Sequence, residues 1–190
     1  RGEVVRLSRA DGLDVTDEAS VSDVLGRITG TFDLIFVATG VLGSPEKALR
    51  ALSADEALTQ FRVNALGPAL VLKHTVRLLP REKRAVFAAL SARVGSIGDN
   101  SLGGWYSYRA AKAALNQLLK TASIELARSH RQAVVVGLHP GTVDTDFTAG
   151  YGHDKMSPDD AAARLIAVLD RLTPAETGGF FDHAGKVVPW

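Results

Sequence analysis

Cysteine is absent from the 190-residue sequence, methionine occurs once, and aromatic residues make up only 6%. Without thiols, disulfides, thiolate catalysis and cysteine-ligated metals are excluded. A cysteine-free chain fits a reducing compartment, so a cytoplasmic location is expected. No run of about 18 apolar residues occurs, which excludes a transmembrane helix of ordinary length, and no segment reads as a signal peptide. Charge of one sign is missing too: 22 Lys and Arg stand against 21 Asp and Glu, a net +1. Nucleic acid and anionic membranes therefore gain no bulk attraction and are not expected as partners. The five histidines, His74, His130, His139, His153 and His183, form no metal-type pair at helical spacing, so no metal site is expected. Internal repeats and low-complexity linkers are also lacking, and the length suits one α/β domain over residues 1–190.

What is present is an alternation of short apolar runs and helical periods. Glu3-Val4-Val5-Arg6-Leu7 reads as a first strand. A helix begins near Thr16 with Val21, Val24, Leu25 and Ile28 on one face, and Gly30 is expected to end it. Leu34-Ile35-Phe36-Val37 is continuously apolar, as in a strand buried on both faces. Ser53 and Glu56 form a capping-box pattern opening a helix to about Leu79, with a bend or break predicted at Gly67-Pro68. Ala85–Leu90 is the next strand, Ser91 to Gly104 a loop, and Trp105 to about Arg128 a helix. Ala133–Leu138 is another buried strand. Pro158 opens a helix in its favoured first position, and Phe180-Phe181-Asp182 reads as an edge strand. Alternating buried strands and amphipathic helices predict a Rossmann-type, doubly wound parallel sheet. Ligands of such sheets bind beyond the carboxyl ends of the strands. Polar groups indeed follow the strands: Ser8 and Arg9, Thr39 and Gly40, Ser91, and His139 to Thr145.

Tyr108 and Lys112 are four residues apart, hence one turn apart on one helix face. A phenol titrates near pH 10, and a neighbouring ammonium favours the phenolate and lowers that value. A general acid so tuned can protonate a developing alkoxide, as carbonyl reduction by hydride requires. A chance surface pair is the alternative for this spacing alone. After the first strand, Ser8 and Arg9 stand where an acidic residue would favour NAD. A hydroxyl and a guanidinium suit a 2′-phosphate, so NADP(H) is expected over NAD(H); a solvent-facing arginine in a turn is the other reading.

Together with Tyr108-Arg109-Ala110-Ala111-Lys112, the sequence resembles the short-chain dehydrogenase/reductase family from residue 3 onward. The resemblance implies a catalytic role for Asn64, in Val63-Asn64-Ala65-Leu66-Gly67, as the residue that helps hold a water and the lysine. It implies that Pro140, Gly141, Val143 and Thr145 face the nicotinamide, with Thr145 bonding its carboxamide, and that Asp14 and Val15 contact adenine. Val94 to Asn100, Gly103 to Arg109 and the ending Phe180 to Trp190 are similar to the C-factor-like branch.

The chain departs from the family pattern at three places. The glycine-rich pyrophosphate turn is not in the sequence, which starts with Arg1; that turn and the first family strand are expected to precede residue 1. The usual Asn-Ala-Gly is Ala38-Thr39-Gly40, still expected to meet the cofactor. The family's Ser-Ser pair is Ser91-Ala92, so the carbonyl-polarising serine is expected to be Ser91 after a shift of register, or Ser96 from the loop. A homodimer or homotetramer through the helices of residues 53–79 and 105–128 is implied as well, with Ala113, Ala114, Leu118 and Ala122 suited to packing. The expected activity is hydride transfer between NADP(H) and a small carbonyl or alcohol. A cofactor-binding regulator with little catalysis, and an inactive structural fragment, are the alternatives. The segment from Thr148 to Met156, rich in glycine and polar residues, is expected to form a small mobile cover.

Overall fold

A computed structural model describes residues 2–152 and 154–190; Arg1 and His153 lie outside the described residues. Four strands form one all-parallel sheet in chain order: β1 (Leu34–Val37), β2 (Ala85–Leu90), β3 (Ala133–His139) and β4 (Phe180–Asp182). Five α-helices accompany them: α1 (Glu18–Gly26), α2 (Ala54–Phe61), α3 (Gly67–Thr75), α4 (Tyr106–Leu126) and α5 (Pro158–Arg171). Side chains of a strand alternate between faces, and each face of the centre has its own core. Phe87, Ala89 and Val135 meet α1, α3 and α4 through Val21, Leu25, Leu70, Leu115 and Leu119. Val86, Ala88, Val134 and Val136 meet α5 through Leu165, Val168 and Leu169. The doubly wound parallel arrangement is as the sequence implies.

Three expectations need correction. Residues 3–7 form no strand; Val4 is 83% exposed, and no neighbouring strand offers them backbone partners. β1 is not buried on both faces. Ile35 and Val37 face the α1–α3–α4 core, whereas Leu34 and Phe36 are 39% and 38% exposed on the other face, where no helix covers them. The first helix stops at Gly26, four residues before Gly30, which occupies a left-handed turn at φ 86°.

The expected break at Gly67-Pro68 is a π turn over Arg62–Leu66, closed by the Gly67 amide on the Arg62 carbonyl. Proline has no N–H to return to the carbonyl of Asn64, so a widened turn absorbs the mismatch. The capping box at Ser53 is half made. Ser53 Oγ accepts the Glu56 amide, but the Glu56 carboxylate turns to Gln60 and the Ser44 amide. Basic side chains around α3 and the chain after it meet acidic groups and helix ends. Lys73 and His74 meet Glu18. Arg77 donates to the carbonyls of Leu25 and Ile28 at the end of α1, and Arg84 to Leu169 and Leu172 at the end of α5. Cations suit helix carboxyl termini, where carbonyls lack partners.

Candidate active site

Parallel strands place all their carboxyl ends on one edge, so Thr39, Ser91 and the His139–Thr145 segment converge there. α4 starts at the same edge. Its first turn carries Tyr108 and its second Lys112, both buried. Lys112 Nζ lies 5.9 Å from the Tyr108 ring centroid and donates to the Leu90 carbonyl at 2.8 Å. Burial, with no carboxylate to offset it, pulls the lysine down to about 8. The expected lowering of the tyrosine is not found. Burial, with the nearby Tyr151 adding to it, pushes the Tyr108 phenol well above its ordinary range. Desolvation thus disfavours the phenolate, and no opposing effect of the lysine offsets it.

Trp105 stacks edge-on to Tyr108 with centroids 6.1 Å apart, and Phe147 lies at 6.1 Å on a tilted plane. Tyr151 is 6.1 Å from Trp105. These rings wall the phenol with apolar surface. Trp105 has φ 55°, the only non-glycine residue with positive φ among those described, and follows Gly103 and Gly104 at φ 66° and 65°. Such a conformation costs a bulky residue about 1–2 kcal/mol. The Arg109 guanidinium holds the turn through the carbonyls of Val94, Gly103 and Gly104. That use accounts for Arg109, while Arg93 pairs with Asp99 and Asp182.

Asn64 is fully buried at the π turn, and its side chain clasps the chain leaving β1. Oδ1 accepts the Val41 amide at 3.0 Å; Nδ2 donates to the Val41 carbonyl at 2.8 Å and to Gln60 Oε1 at 2.5 Å. Gln60 in turn donates to the Leu42 carbonyl and to Glu56. Gly40 lies against this site, since a Cβ there would stand 3.1 Å from Asn64 Oδ1 and 3.7 Å from Lys112 Nζ. The structure therefore brings Gly40, Asn64 and Lys112 together, with the lysine hydrogen-bonded to the Leu90 carbonyl and not to Asn64. Glu56, Gln60 and Asn64 escaped the sequence reading as a set, yet their spacing of four marks one helix face. Glu46 escaped it entirely. Its buried carboxylate accepts the Ser107 amide at 3.2 Å and the Ser107 hydroxyl, while its backbone carbonyl accepts the Trp105 amide at 2.6 Å. Burial pushes this carboxyl up, but the Ser107 hydroxyl and the local amides hold it below its ordinary value.

Ser91 lies at the end of β2, and its hydroxyl donates to Asn116 Oδ1 at 2.6 Å in the buried layer between sheet and α4. Ser96 is also buried and accepts the Asp99 amide at 3.1 Å. Neither hydroxyl is hydrogen-bonded to Tyr108, and Ala92 stands between them in sequence. After β3, Gly141 has φ 80°, and a side chain there would meet the His183 ring at 3.0 Å. Val143 bridges to Met156, with the Asp144 amide on the Met156 carbonyl and the Met156 amide on the Thr142 carbonyl. Thr145 caps a short turn ending at Thr148, whose hydroxyl reaches the carbonyl of Val143. The expected cover is thus tied at both ends. His139, the last residue of β3 before Pro140, is pulled down to about 4 by burial, helped by Arg93 and His183 and opposed by Asp182. Its imidazole is therefore neutral at pH 7.

On the far side, Ser8 and Asp11 form a capping box around the turn that carries Arg9, which is exposed. Asp14 Oδ1 accepts the amide and hydroxyl of Thr16, and Val15 is buried within 3.0 Å of where a Cβ on Gly67 would lie. Two features of the carboxyl edge fit a nicotinamide cofactor. Thr39 Oγ1 is buried with no hydrogen-bond partner, and Gly40 leaves open the approach to Lys112. No group of His, Asp and Glu that could hold a metal occurs among the described residues. No helix of the described residues is long and apolar enough to cross a membrane.

A parallel sheet with helices on both faces, and a Tyr–Lys pair at its carboxyl edge, defines the class of NAD(P)-dependent oxidoreductases. Residues 8–180 match the family described as enoyl-(acyl carrier protein) reductase, and the chain belongs to the short-chain dehydrogenase/reductase family. It is 37% identical to 1-hydroxy-2-glutathionyl-2-methyl-3-butene dehydrogenase of Rhodococcus over 94% of this chain and 79% of that protein. It is likewise 37% identical to the C-signal protein of Myxococcus xanthus, over 85% of this chain and 95% of that one. Among solved structures, an NADP-bound short-chain dehydrogenase/reductase of Burkholderia multivorans matches with TM-score 0.80 and 28% identity over 94% of this chain and 75% of that one. NADPH-bound carbonyl reductase from chicken fatty liver matches with TM-score 0.84 and 25% identity, covering 94% and 75%.

Proposed function

We propose that the protein reduces an apolar carbonyl compound to the alcohol with NADPH, Tyr108 being the general acid. The observation that carries this reading is the Tyr108 phenol buried beside the buried Lys112 at the carboxyl edge of the sheet. When bound, NADPH supplies the hydride that adds to the carbonyl carbon. Tyr108 gives its hydroxyl proton to the carbonyl oxygen in the same reduction. Lys112 holds the nicotinamide ribose, and when protonated it stabilises the phenolate left behind. Thr39, Gly40, Pro140, Gly141, Val143 and Thr145 line the cofactor's nicotinamide end. Asp14, Val15, Ser8 and Arg9 take its adenosine end, with Arg9 on the 2′-phosphate. The bound NADP and NADPH of the two solved relatives support that choice of cofactor. Asn64 acts by holding the loop against which the cofactor lies. Ser91 polarises the carbonyl only by leaving Asn116, and Ser96 is the substitute. Trp105, Phe147 and Tyr151 are the apolar walls that favour a substrate without charge near the carbonyl. The exposed Leu58, Phe61 and Ile124 on α2 and α4 support assembly as a homodimer or homotetramer. On this reading residues 1–190 belong to a single NAD(P)-binding domain.

A second reading has a specific observation behind it: Ala92 in the place of the family serine, together with the likeness to C-signal. It is a cofactor-binding regulatory protein with little turnover. One experiment separates the two. NADPH affinity is measured by calorimetry, and turnover on a panel of apolar ketones and aldehydes is compared with that of Tyr108→Phe. Turnover lost by roughly a hundredfold or more with NADPH affinity unchanged supports the reductase. NADPH binding with no turnover on any substrate favours the regulator, and binding of neither NADPH nor NADH removes both.

A further inference from the structure

The segment between β1 and α2 connects the cofactor edge to the start of the catalytic helix. It leaves β1 through Thr39 and Gly40, crosses the polar face of Asn64, Gln60 and Glu56, and then reaches Glu46. The crossing is tight. Gly43 has φ 61°, and a Cβ there would lie 1.9 Å from Glu56 Oε1, so a larger residue would be strained and would displace the Glu56 carboxylate. At its far end α4 lacks a cap of its own. Trp105 stands at the N-cap position with a left-handed backbone and no side-chain oxygen to offer. An N-cap oxygen normally accepts the amide of the second or third helical residue. Here the second residue is Ser107, and its amide is taken by Glu46, 61 positions earlier in the chain. The same residue accepts the Ser107 hydroxyl and the Trp105 amide, so three donors of the turn before Tyr108 end on Glu46. A carboxylate is also the favoured charge at a helix amino terminus.

We propose that Glu46 is a positioning residue for catalysis: by capping α4 from the cofactor loop it fixes Tyr108 relative to Thr39, Gly40 and Lys112. The structure links no other side chain of that loop to the amide of a residue in α4's first turn. The consequence rests on the role given to Tyr108 above. Displacement of a reacting group by about 1 Å can cost roughly a hundredfold in rate. Loss of the cap should therefore lower kcat and spare the affinity for NADPH, whose contacts lie on the other residues.

The test compares Glu46→Ala, Glu46→Gln and Tyr108→Phe in the intact protein, with kcat, NADPH dissociation constant and backbone amide exchange as readouts. For Glu46→Ala the expected result is a loss of kcat of about ten- to a hundredfold, with the NADPH constant within about twofold. Exchange of the Ser107 amide should quicken by roughly tenfold or more while the second half of α4 is unchanged. Glu46→Gln keeps an acceptor oxygen and should restore kcat to within about threefold. A Glu46→Ala protein with unaltered kcat, or unaltered Ser107 exchange, overturns the proposal, as does parallel loss of kcat and NADPH affinity. If Glu46→Ala does not fold, Glu46→Asp, one methylene short, decides by the same readouts. Turnover retained in Tyr108→Phe would instead sink the reductase reading. In a protein without turnover the Ser107 exchange still reports whether Glu46 caps the helix.

Discussion

At β3 every residue from Ala133 to Leu138 is buried, with one helical layer on each face of the sheet, whereas at β1 only Ile35 and Val37 meet a core and Leu34 and Phe36 face outward uncovered. The two regions have similar character, since both are continuously apolar runs. What differs is which elements reach them: α5 covers β2 and β3 but not β1. The residues proposed for catalysis lie at the covered end. Tyr108 and Lys112 sit on α4, which packs against β3, while Arg9, assigned to the adenosine end, stands in an exposed turn. Burial shifts the groups at the first end and leaves those at the second to solvent.

Truncation on the two sides of this comparison should give opposite results. Phe87→Ala, in the fully buried centre of β2, is expected to cost about 3–5 kcal/mol of unfolding free energy in a denaturant titration. A loss below about 1 kcal/mol would mean that the centre is looser than its burial implies. At the next magnitude stands Lys112→Met, read as a function of pH. The lysine titrates at about 8 when folded, against 10.5 for the free side chain. Below pH 8 both states bind the proton, and the cost of burying the cation is fully present. Between 8 and 10.5 the unfolded chain binds more protons, so stability rises with pH and the cost fades. Lys112→Met should therefore be more stable than the parent at pH 7, by on the order of 2 kcal/mol, with the gap narrowing toward pH 9.5. A gap independent of pH would show that Lys112 is not depressed in the folded protein.

Arg9→Asp probes the exposed end. The ratio of NADPH to NADH affinity should fall by roughly tenfold, about 1.4 kcal/mol, with the unfolding midpoint unchanged. An unmoved ratio removes Arg9 from the cofactor site. The smallest effect is assigned to Phe36→Ser, on the uncovered face of β1. It should change stability by less than about 0.5 kcal/mol, the range of ordinary surface substitutions. A large loss would show that this face is covered in the protein as tested.

Much of the fold was legible because apolar runs and helical periods are local. The strands at Ala85–Leu90 and Ala133–His139 and the helices opened by Ser53, Trp105 and Pro158 appear where their signals lie. Residues 3–7 misled because strand-forming residues make a strand only when another strand supplies hydrogen bonds. β1 misled because an apolar run specifies that burial is favourable, not that a partner is present on each face. At the candidate site, Tyr108 and Lys112 were legible through their spacing. Ser91 was visible only as a hydroxyl near a strand end, and its commitment to Asn116 depends on a helix 25 residues further on.

The order of strands and helices, the break at Gly67-Pro68, and the pairing of Tyr108 with Lys112 on one helix face were set in the sequence, because each depends on residues within a turn or two of one another. The sign of the Tyr108 shift, the capping of α4 by Glu46 and the ladder from Glu56 to Asn64 were decided only in the folded chain. Each requires groups distant in sequence to share a volume from which water is excluded, and desolvation and long-range hydrogen bonds have no local signature.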